Sequence, residues 1–116
     1  MTSVLLDREL IDEIRRIEHA TGRADLLADF VRRLEDSITA FHPAFSASVQ
    51  RGDAAGAARV AHTLKGASRQ LGAQALGELF AEIEQSAKAG DYEAARSKFD
   101  SGAGLIAESL EALKRA

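Results

Sequence analysis

Residues 52–72 read GDAAGAARVAHTLKGASRQLG and predict a sharply bounded helix. Gly52 suits the left-handed backbone conformation that ends a preceding helix, and Asp53 is a typical N-cap for the next one. The helix is expected to run from about 54 to 71, where Gly72 closes it. By order along the chain, it is the third predicted helical segment.

One side of this third helix is apolar, and the opposite side carries a histidine. With about 100° of rotation per residue, Val60, Leu64, Ala67 and Leu71 lie within about 40° of the direction opposite His62. Because the apolar side must face the core, we expect His62 to face solvent and not to be a buried structural histidine.

The chain before residue 52 predicts two further helical segments. Asp7 is a plausible N-cap for a first helix that ends before Gly22. A second stretch begins near Asp25 and contains Pro43. Because proline cannot donate a hydrogen bond to the carbonyl four residues earlier, this stretch is either kinked there or split into two helices that meet near His42. The expected apolar side of the first helix consists of Leu10, Ile11, Ile14 and Ile17.

The chain after residue 72 predicts a fourth helix from about 74 to 88 and a last segment from about 92 to 115. A glycine and an aspartate at 90–91 repeat the signal that stops one helix and starts the next. Gly102 and Gly104 each destabilise the last helix by about 0.5–1 kcal/mol relative to alanine, so we expect it to bend or fray there.

These segments predict an all-α fold. Short connections between amphipathic helices favour antiparallel neighbours, so the second to fifth segments are expected to form an antiparallel up-down four-helix bundle. The additional short N-terminal helix would lie across one end. The 116 residues are enough for a single domain, 1–116, and too few for a second independent core.

Composition argues against several classes of function. The absence of cysteine removes disulfides and thiolate metal ligands, and a net charge of −3 with no tryptophan opposes binding to nucleic acid. No segment approaches the roughly 20 apolar residues of a membrane span, and no secretory signal is visible. We therefore expect a cytoplasmic protein that does not bind membranes, and a monomer needs the fewest assumptions.

Cations and a glycine surround the exposed histidine. On the helical projection Arg59, Lys65 and Arg69 lie within about 60° of His62, and these cations would attract a phosphoryl group. Gly66 lies one turn from His62, on the side that does not face the core. Because a glycine inside a helix is destabilising and helix packing does not require one there, the position indicates a partner surface that approaches the imidazole.

Two short motifs resemble the signature of histidine-containing phosphotransfer (HPt) domains. They are AHTLKGAS at 61–68 and LGA at 71–73. The likeness extends over most of the chain, through Leu-Asp at 6–7, the Gly-Asp turn before the third helix and Ile-Glu at 83–84. The family fold that this resemblance implies is a four-helix bundle with an additional short helix.

The resemblance also implies a role for each residue of the site. His62 would accept a phosphoryl group on Nε2 from the aspartate of a response-regulator receiver domain and pass it to another receiver. Lys65 would neutralise phosphoryl oxygens, Gly66 would admit the receiver, and Glu84 would orient the imidazole through Nδ1. Lys88 matches a further cation found in some members of the family.

No cofactor or metal is expected in this domain. No carboxylate cluster surrounds His62, and the three histidines lack the spacing of metal ligands, so Mg²⁺ is expected only on the partner receiver. The expected partners are receiver domains and a histidine kinase or hybrid kinase. His19 and His42 are assigned no function.

Two other interpretations remain open from the sequence. The chain could be a non-catalytic helical interaction module that binds a receiver or kinase without being phosphorylated, or the N-terminal phosphoacceptor domain of a chemotaxis-type histidine kinase. Helix geometry alone also allows Glu84 to be only an ion-pair partner of Lys88, four residues later. Arg59 and Arg69 could likewise belong to an ordinary solvated face.

Overall fold

The structure is a computed structural model that describes residues 4–116; residues 1–3 of the expected domain 1–116 lie outside this part. The described chain is all-helical, as predicted, and residues 4–116 contain no strand. No helix in this range is long and apolar enough to cross a bilayer. In chain order the helices are α1 (Arg8–Thr21), α2 (Leu26–Thr39), α3 (Phe41–Gln50), α4 (Ala54–Gln70), α5 (Gln74–Lys88), α6 (Tyr92–Ser101) and α7 (Ala103–Arg115).

Glycine and aspartate set the bounds of α4. Gly52 and Gly72 have φ angles of 68° and 79°, the left-handed conformation that glycine adopts without steric strain. The Asp53 carboxylate accepts a 2.8 Å hydrogen bond from the Gly56 N–H and so caps the first turn. The helix α4 begins at the predicted residue and ends one residue earlier than predicted. The next helix, α5, has the predicted bounds.

The second helical stretch is split, and the break lies at Ala40, between α2 and α3. Pro43 therefore falls in the first turn of α3, where backbone N–H groups have no partner within their own helix. The missing donor of Pro43 costs α3 no hydrogen bond. Of the two alternatives that the sequence allowed, the structure has the split, two residues before the expected position near His42.

The last segment is also divided, into α6 and α7, which meet at Gly102. The φ angle of Gly102 is −85°, so the backbone does not require glycine there. Packing favours glycine at this position, because a Cβ on Gly102 would lie 2.6 Å from the Leu79 side chain of α5. Gly104 has open space around it and carries no such contact.

The core lies between α4, α5 and the helices that flank them. α4 packs most extensively against α5, and also contacts α3 and α2. α5 contacts α6 and α7, and α2 contacts α7. Stacked aromatic rings fill the centre, with 4.3 Å between the ring centroids of Phe41 and Phe99. The largest fully buried apolar side chains are Phe41, Phe45, Phe80, Leu27, Leu76, Ile83 and Leu113.

The predicted apolar side of α1 is partly wrong. Ile11 and Ile14 are buried, but Leu10 and Ile17 are 36% and 44% exposed, and Glu18 is buried in their place. The physical reason is that α1 packs mainly on α2, so only a narrow stripe of its surface is covered. With 14 residues, α1 is also as long as α2.

Glu18 links α1 to the start of α2. Its Oε2 accepts a 2.9 Å hydrogen bond from the Leu27 N–H, and its Oε1 accepts one of 2.8 Å from Arg15. Asp25, the residue before α2, makes no side-chain capping hydrogen bond. Glu18 therefore supplies a cap for the first turn of α2 from the preceding helix.

Candidate functional site

His62 lies in the middle of α4, and its side chain is 62% exposed. The residues projected opposite it face the core: Leu64 and Leu71 are buried, and Val60 and Ala67 pack partly buried against the core. The prediction that His62 faces solvent is confirmed. The imidazole is therefore accessible to a second molecule.

Glu84 reaches this histidine from α5, the neighbouring helix, and is only 3% exposed. Its Oε2 lies 3.0 Å from His62 Nδ1, and its Oε1 lies 2.7 Å from Lys65 Nζ. Lys88, one turn further along α5, places its Nζ 3.3 Å from Oε2. One buried carboxylate thus contacts an imidazole and two ammonium groups.

The surroundings of Glu84 lower the pKa of its carboxyl group. Burial alone would raise that pKa, because it disfavours the charged form, but hydrogen bonds from Lys65, Lys88 and His62 outweigh this effect. The pKa falls from 4.5 to about 2. Glu84 is therefore ionised at neutral pH.

An ionised Glu84 fixes which nitrogen of His62 carries a proton. A carboxylate only accepts hydrogen bonds, so His62 Nδ1 must donate to it. In a neutral imidazole a proton on Nδ1 leaves the lone pair on Nε2. The arrangement therefore presents Nε2 as the nucleophilic atom of an exposed ring.

Lys65 and Gly66 follow His62 on the same helix. The Lys65 side chain is 21% exposed and its ammonium group is turned toward Glu84. A Cβ placed on Gly66 would meet no atom within 4 Å, so no packing contact in residues 4–116 requires glycine there. The helix surface beside the imidazole is therefore open at this position.

An open groove of about 480 Å³ lies on the other side of His62. Its α4 residues lie at or before His62 in the chain, which fits the tilt of helical side chains toward the N-terminus. The space beside the ring therefore extends over the N-terminal half of α4, away from Lys65 and Gly66. The lining residues are Ala54, Ala55, Ala58, Arg59, His62, Glu84 and Lys88.

The two arginines predicted near His62 have different surroundings. Arg59 lines the groove and is exposed, and no Asp or Glu of residues 4–116 forms an ion pair with it. Arg69 lies two turns after His62, about 10 Å along the helix axis. Its guanidinium is 3.7 Å from Glu78, and its stem crosses Gly77 of α5. The structure does not bring Arg69 to the histidine.

The other histidines lie outside this site. His19 is exposed in the last turn of α1. His42 Nε2 is 3.0 Å from Asp100 Oδ1, and its ring packs edge-on against Phe99. Within residues 4–116 no three His, Asp or Glu side chains are grouped so that they could hold a metal ion.

The contact between Lys65 and Glu84 was not predicted from the sequence. It joins two helices across 19 positions of the chain, and no spacing rule within one helix relates such residues. The only local signal was the spacing of Glu84 and Lys88, and that pair does form. The combined contacts of the buried Glu84 carboxylate with one imidazole and two ammonium groups depend on how α4 packs against α5, so the sequence alone does not predict the full set.

Comparison with known proteins adds to this geometry. The family model described as Hpt domain matches residues 25–116, which include α2 to α7, while α1 lies before the match. No curated protein and no solved structure matches the chain. The family match covers most of the chain and contains His62, Lys65, Gly66 and Glu84. The chain therefore belongs to the Hpt domain family, which functions in phosphotransfer in two-component signalling.

Proposed function

We propose that this protein is a phosphohistidine carrier. His62 accepts a phosphoryl group on Nε2 from the aspartyl phosphate of a response-regulator receiver and transfers it to the aspartate of another receiver. The observation that carries the proposal is the exposed His62 ring whose Nδ1 is held by the buried carboxylate of Glu84. This contact leaves Nε2 free to react.

The transfer step follows from the protonation of the ring. The lone pair of His62 Nε2 attacks phosphorus, and the N–P bond forms while the P–O bond to the receiver aspartate breaks. The aspartate leaves as a carboxylate with the electron pair of the broken bond. Nδ1 keeps its proton, so the phosphorylated ring is cationic and faces the Glu84 carboxylate. Transfer to a second receiver is the reverse of this step.

Glu84 acts as a positioning residue in this scheme. Phosphoryl transfer depends on in-line alignment, and a nucleophile fixed in the correct geometry contributes a large part of the rate. Glu84 is buried and contacts Lys65 and Lys88 besides the ring, so its carboxylate has little freedom to rotate. The ring that it holds is therefore fixed in orientation, although its outer edge is in solvent.

The domain supplies half of a reaction centre. Within residues 4–116, Glu84 is the carboxylate that contacts His62, and it already contacts two ammonium groups as well, so it is a poor ligand for Mg²⁺. We propose that Mg²⁺ is bound by the receiver and that this chain needs no cofactor. The partners are receiver domains and a histidine kinase or hybrid kinase, and we propose that the protein meets them in the cytoplasm as a monomer.

We infer that α2 to α7 form one antiparallel up-down four-helix bundle, and that this bundle and α1 belong to a single domain, 1–116. The helix pairs in contact support this arrangement: α4 with α5 and α3, α5 with α6 and α7, and α2 with α4 and α7. Two of the four bundle members are each split into two helices. These are α2 with α3 and α6 with α7, and they flank α4 and α5. α1 packs outside the bundle, on α2.

The proposal is tested by labelling. A panel of receiver proteins is phosphorylated with acetyl phosphate and mixed with the purified domain, and phosphohistidine is recognised because it is labile to acid and stable to alkali. We expect label on the wild-type domain and none on His62→Gln. His19→Gln, which removes another exposed histidine, is the matched control and should be labelled normally.

The folding of the variants must be checked in the same experiment. His62 is mostly exposed, so His62→Gln should keep its helicity and its thermal midpoint. A receiver that binds the wild-type domain without ever transferring phosphate to it would contradict the proposal. That result would favour a non-catalytic interaction module.

A further inference from the structure

We infer that Arg59 is the cation that contacts the phosphoryl group on His62, while Lys65 and Lys88 serve mainly to hold Glu84. This inference rests on the proposed function and names the residue that neutralises the transferred group. The assignment differs from the expectation, based on family resemblance, that Lys65 has this role.

Both lysines are already engaged. Lys65 Nζ is 2.7 Å from Glu84 Oε1, and its side chain is largely covered. Lys88 Nζ is 3.3 Å from Oε2 of the same carboxylate. An ammonium group is a compact charge on a flexible stem, and moving one from a buried carboxylate to a phosphoryl group would weaken the contacts that hold the ring of His62.

Arg59 lies on the side of the ring that faces the groove. It precedes His62 by three residues, so the two side chains are neighbours on one face of α4, with about 5–6 Å between their Cβ atoms. The groove of about 480 Å³ is lined by His62, Arg59 and Lys88, but not by Lys65 or Gly66, and Lys88 already contacts Glu84. A phosphoryl group on Nε2 that enters this groove meets the guanidinium of Arg59.

The chemistry of the guanidinium suits this role. Arginine presents several N–H donors in a planar fork, which matches the oxygens of a phosphoryl group and can form two parallel hydrogen bonds. The Arg59 side chain forms no ion pair with an Asp or Glu within residues 4–116, so no such contact has to break first. Small neighbours in the groove, Ala55 and Ala58, leave room for the group.

The charges balance when Arg59 takes this part. In the transfer step the phosphoryl group brings two negative charges on its oxygens, and the ring of His62 becomes cationic as the N–P bond forms. Glu84 is the counter-ion of the ring on the Nδ1 side. Arg59 is the counter-ion of the phosphoryl oxygens on the Nε2 side, and no further reactant is needed.

A test that needs no partner protein uses NMR of arginine side chains. The domain is phosphorylated with potassium phosphoramidate, which modifies histidines directly, and the ¹⁵N–¹H signals of arginine Nε are recorded before and after. We expect the Arg59 signal, assigned by its absence in Arg59→Lys, to move downfield while the Arg69 and Arg16 signals stay in place. The movement should be absent in His62→Gln.

The second test measures the rate of a single transfer from a phosphorylated receiver at saturating domain concentration. We expect Arg59→Ala to lower the maximal rate by about tenfold, the order of one charge-assisted hydrogen bond, with little change in the half-saturating concentration. Arg59→Lys should be intermediate. Arg16→Ala removes one positive charge from an exposed position on α1 and should transfer like the wild type.

Three results would overturn the inference. The first is an Arg59 signal that does not respond to phosphorylation of His62. The second is an Arg59→Ala variant that transfers as fast as Arg16→Ala. The third is a change in half-saturating concentration alone, which would place Arg59 against the receiver. If no receiver labels the wild-type domain, the proposed function fails, whereas the NMR result still decides whether Arg59 contacts the phosphoryl group.

Discussion

At the scale of single residues, a substitution at Gly66 is expected to change helix stability and access to His62 in opposite directions. No atom lies within 4 Å of where its Cβ would be, so alanine fits without displacing a neighbour. We predict that Gly66→Ala raises the free energy of unfolding by about 0.5–1 kcal/mol, because alanine favours a helix interior over glycine. If the proposed function is correct, phosphotransfer should become slower, because the added methyl group would lie where we propose that the receiver approaches.

Gly56, on the same helix, is the control for Gly66. A Cβ on Gly56 would be 2.3 Å from Asp53 Oδ2, so Gly56→Ala must displace the cap of α4 and should lower the free energy of unfolding. Chemical denaturation of both variants measures the two effects. A destabilised Gly66→Ala variant would show that the open space at this position is filled in solution.

Glu84 gives the protein a defined sensitivity to acid. Its folded-state pKa of about 2 is below its ordinary value of 4.5, so the unfolded chain binds the proton more readily. The stabilisation is complete above about pH 4.5 and is lost as the pH falls toward 2. We predict that acidification from pH 5 to 2 removes about 1–2 kcal/mol more from the wild type than from Glu84→Gln, after allowance for the solvent around the lysines.

The measurement is urea unfolding of the two proteins at several pH values, with the wild-type curve compared with that of Glu84→Gln. The difference between their free energies of unfolding should shrink steadily below pH 4.5. A difference that stays constant down to pH 2 would mean that Glu84 is not held in its charged form by Lys65, Lys88 and His62.

At the scale of helices, the start of α2 depends on a residue of α1. The Leu27 N–H bonded to Glu18 lowers the pKa of that carboxyl group, and Arg15 adds to the effect. We predict that Glu18→Ala lowers the thermal midpoint measured by circular dichroism. Asp25→Ala, which removes a carboxylate without a capping hydrogen bond, should change the midpoint less.

The same contact has a pH dependence. The pKa of Glu18 is lower in the folded state than in the unfolded chain. Glu18 therefore stabilises the fold at pH values above the usual pKa range of a glutamate, and this stabilisation is lost as the pH falls below that range. The difference in midpoint between wild type and Glu18→Ala should therefore be larger at pH 7 than at acidic pH. Equal losses in Glu18→Ala and Asp25→Ala at pH 7 would contradict the assignment of the cap.

Helix bounds were predictable because their causes are local. Gly52 and Asp53 act within one or two residues of the break that they mark, so the sequence pattern identifies them directly. The exposure of His62 follows from the period of a single helix. The break at Ala40 was harder to place, because a proline is tolerated anywhere in a first turn and so limits a helix start without fixing it.

Contacts between helices were much less predictable. The burial of Glu18 in place of Ile17 depends on how narrow the contact between α1 and α2 is, which the apolar pattern of α1 alone does not contain. The Lys65 contact with Glu84 likewise depends on the packing of α4 on α5. The sequence therefore singled out His62, Lys65 and Glu84, but not the contact between Lys65 and Glu84.

At the scale of the whole molecule, the buried residues of the first and the last helix belong to one core cluster. It includes Ile11 of α1 and Leu113 of α7. We predict a single cooperative unfolding transition, because the buried apolar residues of the described chain, 4–116, form one cluster. Tyr92, the one tyrosine, is partly buried with its ring 6.2 Å from that of Phe45, and reports on tertiary packing.

This prediction is tested by following urea unfolding with far-ultraviolet circular dichroism and with the fluorescence of Tyr92. The two transitions should have the same midpoint and the same slope. Separate midpoints would show that part of the chain unfolds independently, against the expectation of a single domain.

The contact between Glu84 and His62 has a consequence for any electrophile that reaches this surface. The two nitrogens of a free imidazole are similar in reactivity, but here one of them donates to a carboxylate of the neighbouring helix. Regioselectivity is thus a property of how two helices are aligned, and not of the histidine itself. A shift of α5 along α4 by one helical turn would abolish the preference for one isomer of the product without changing a single atom of the ring.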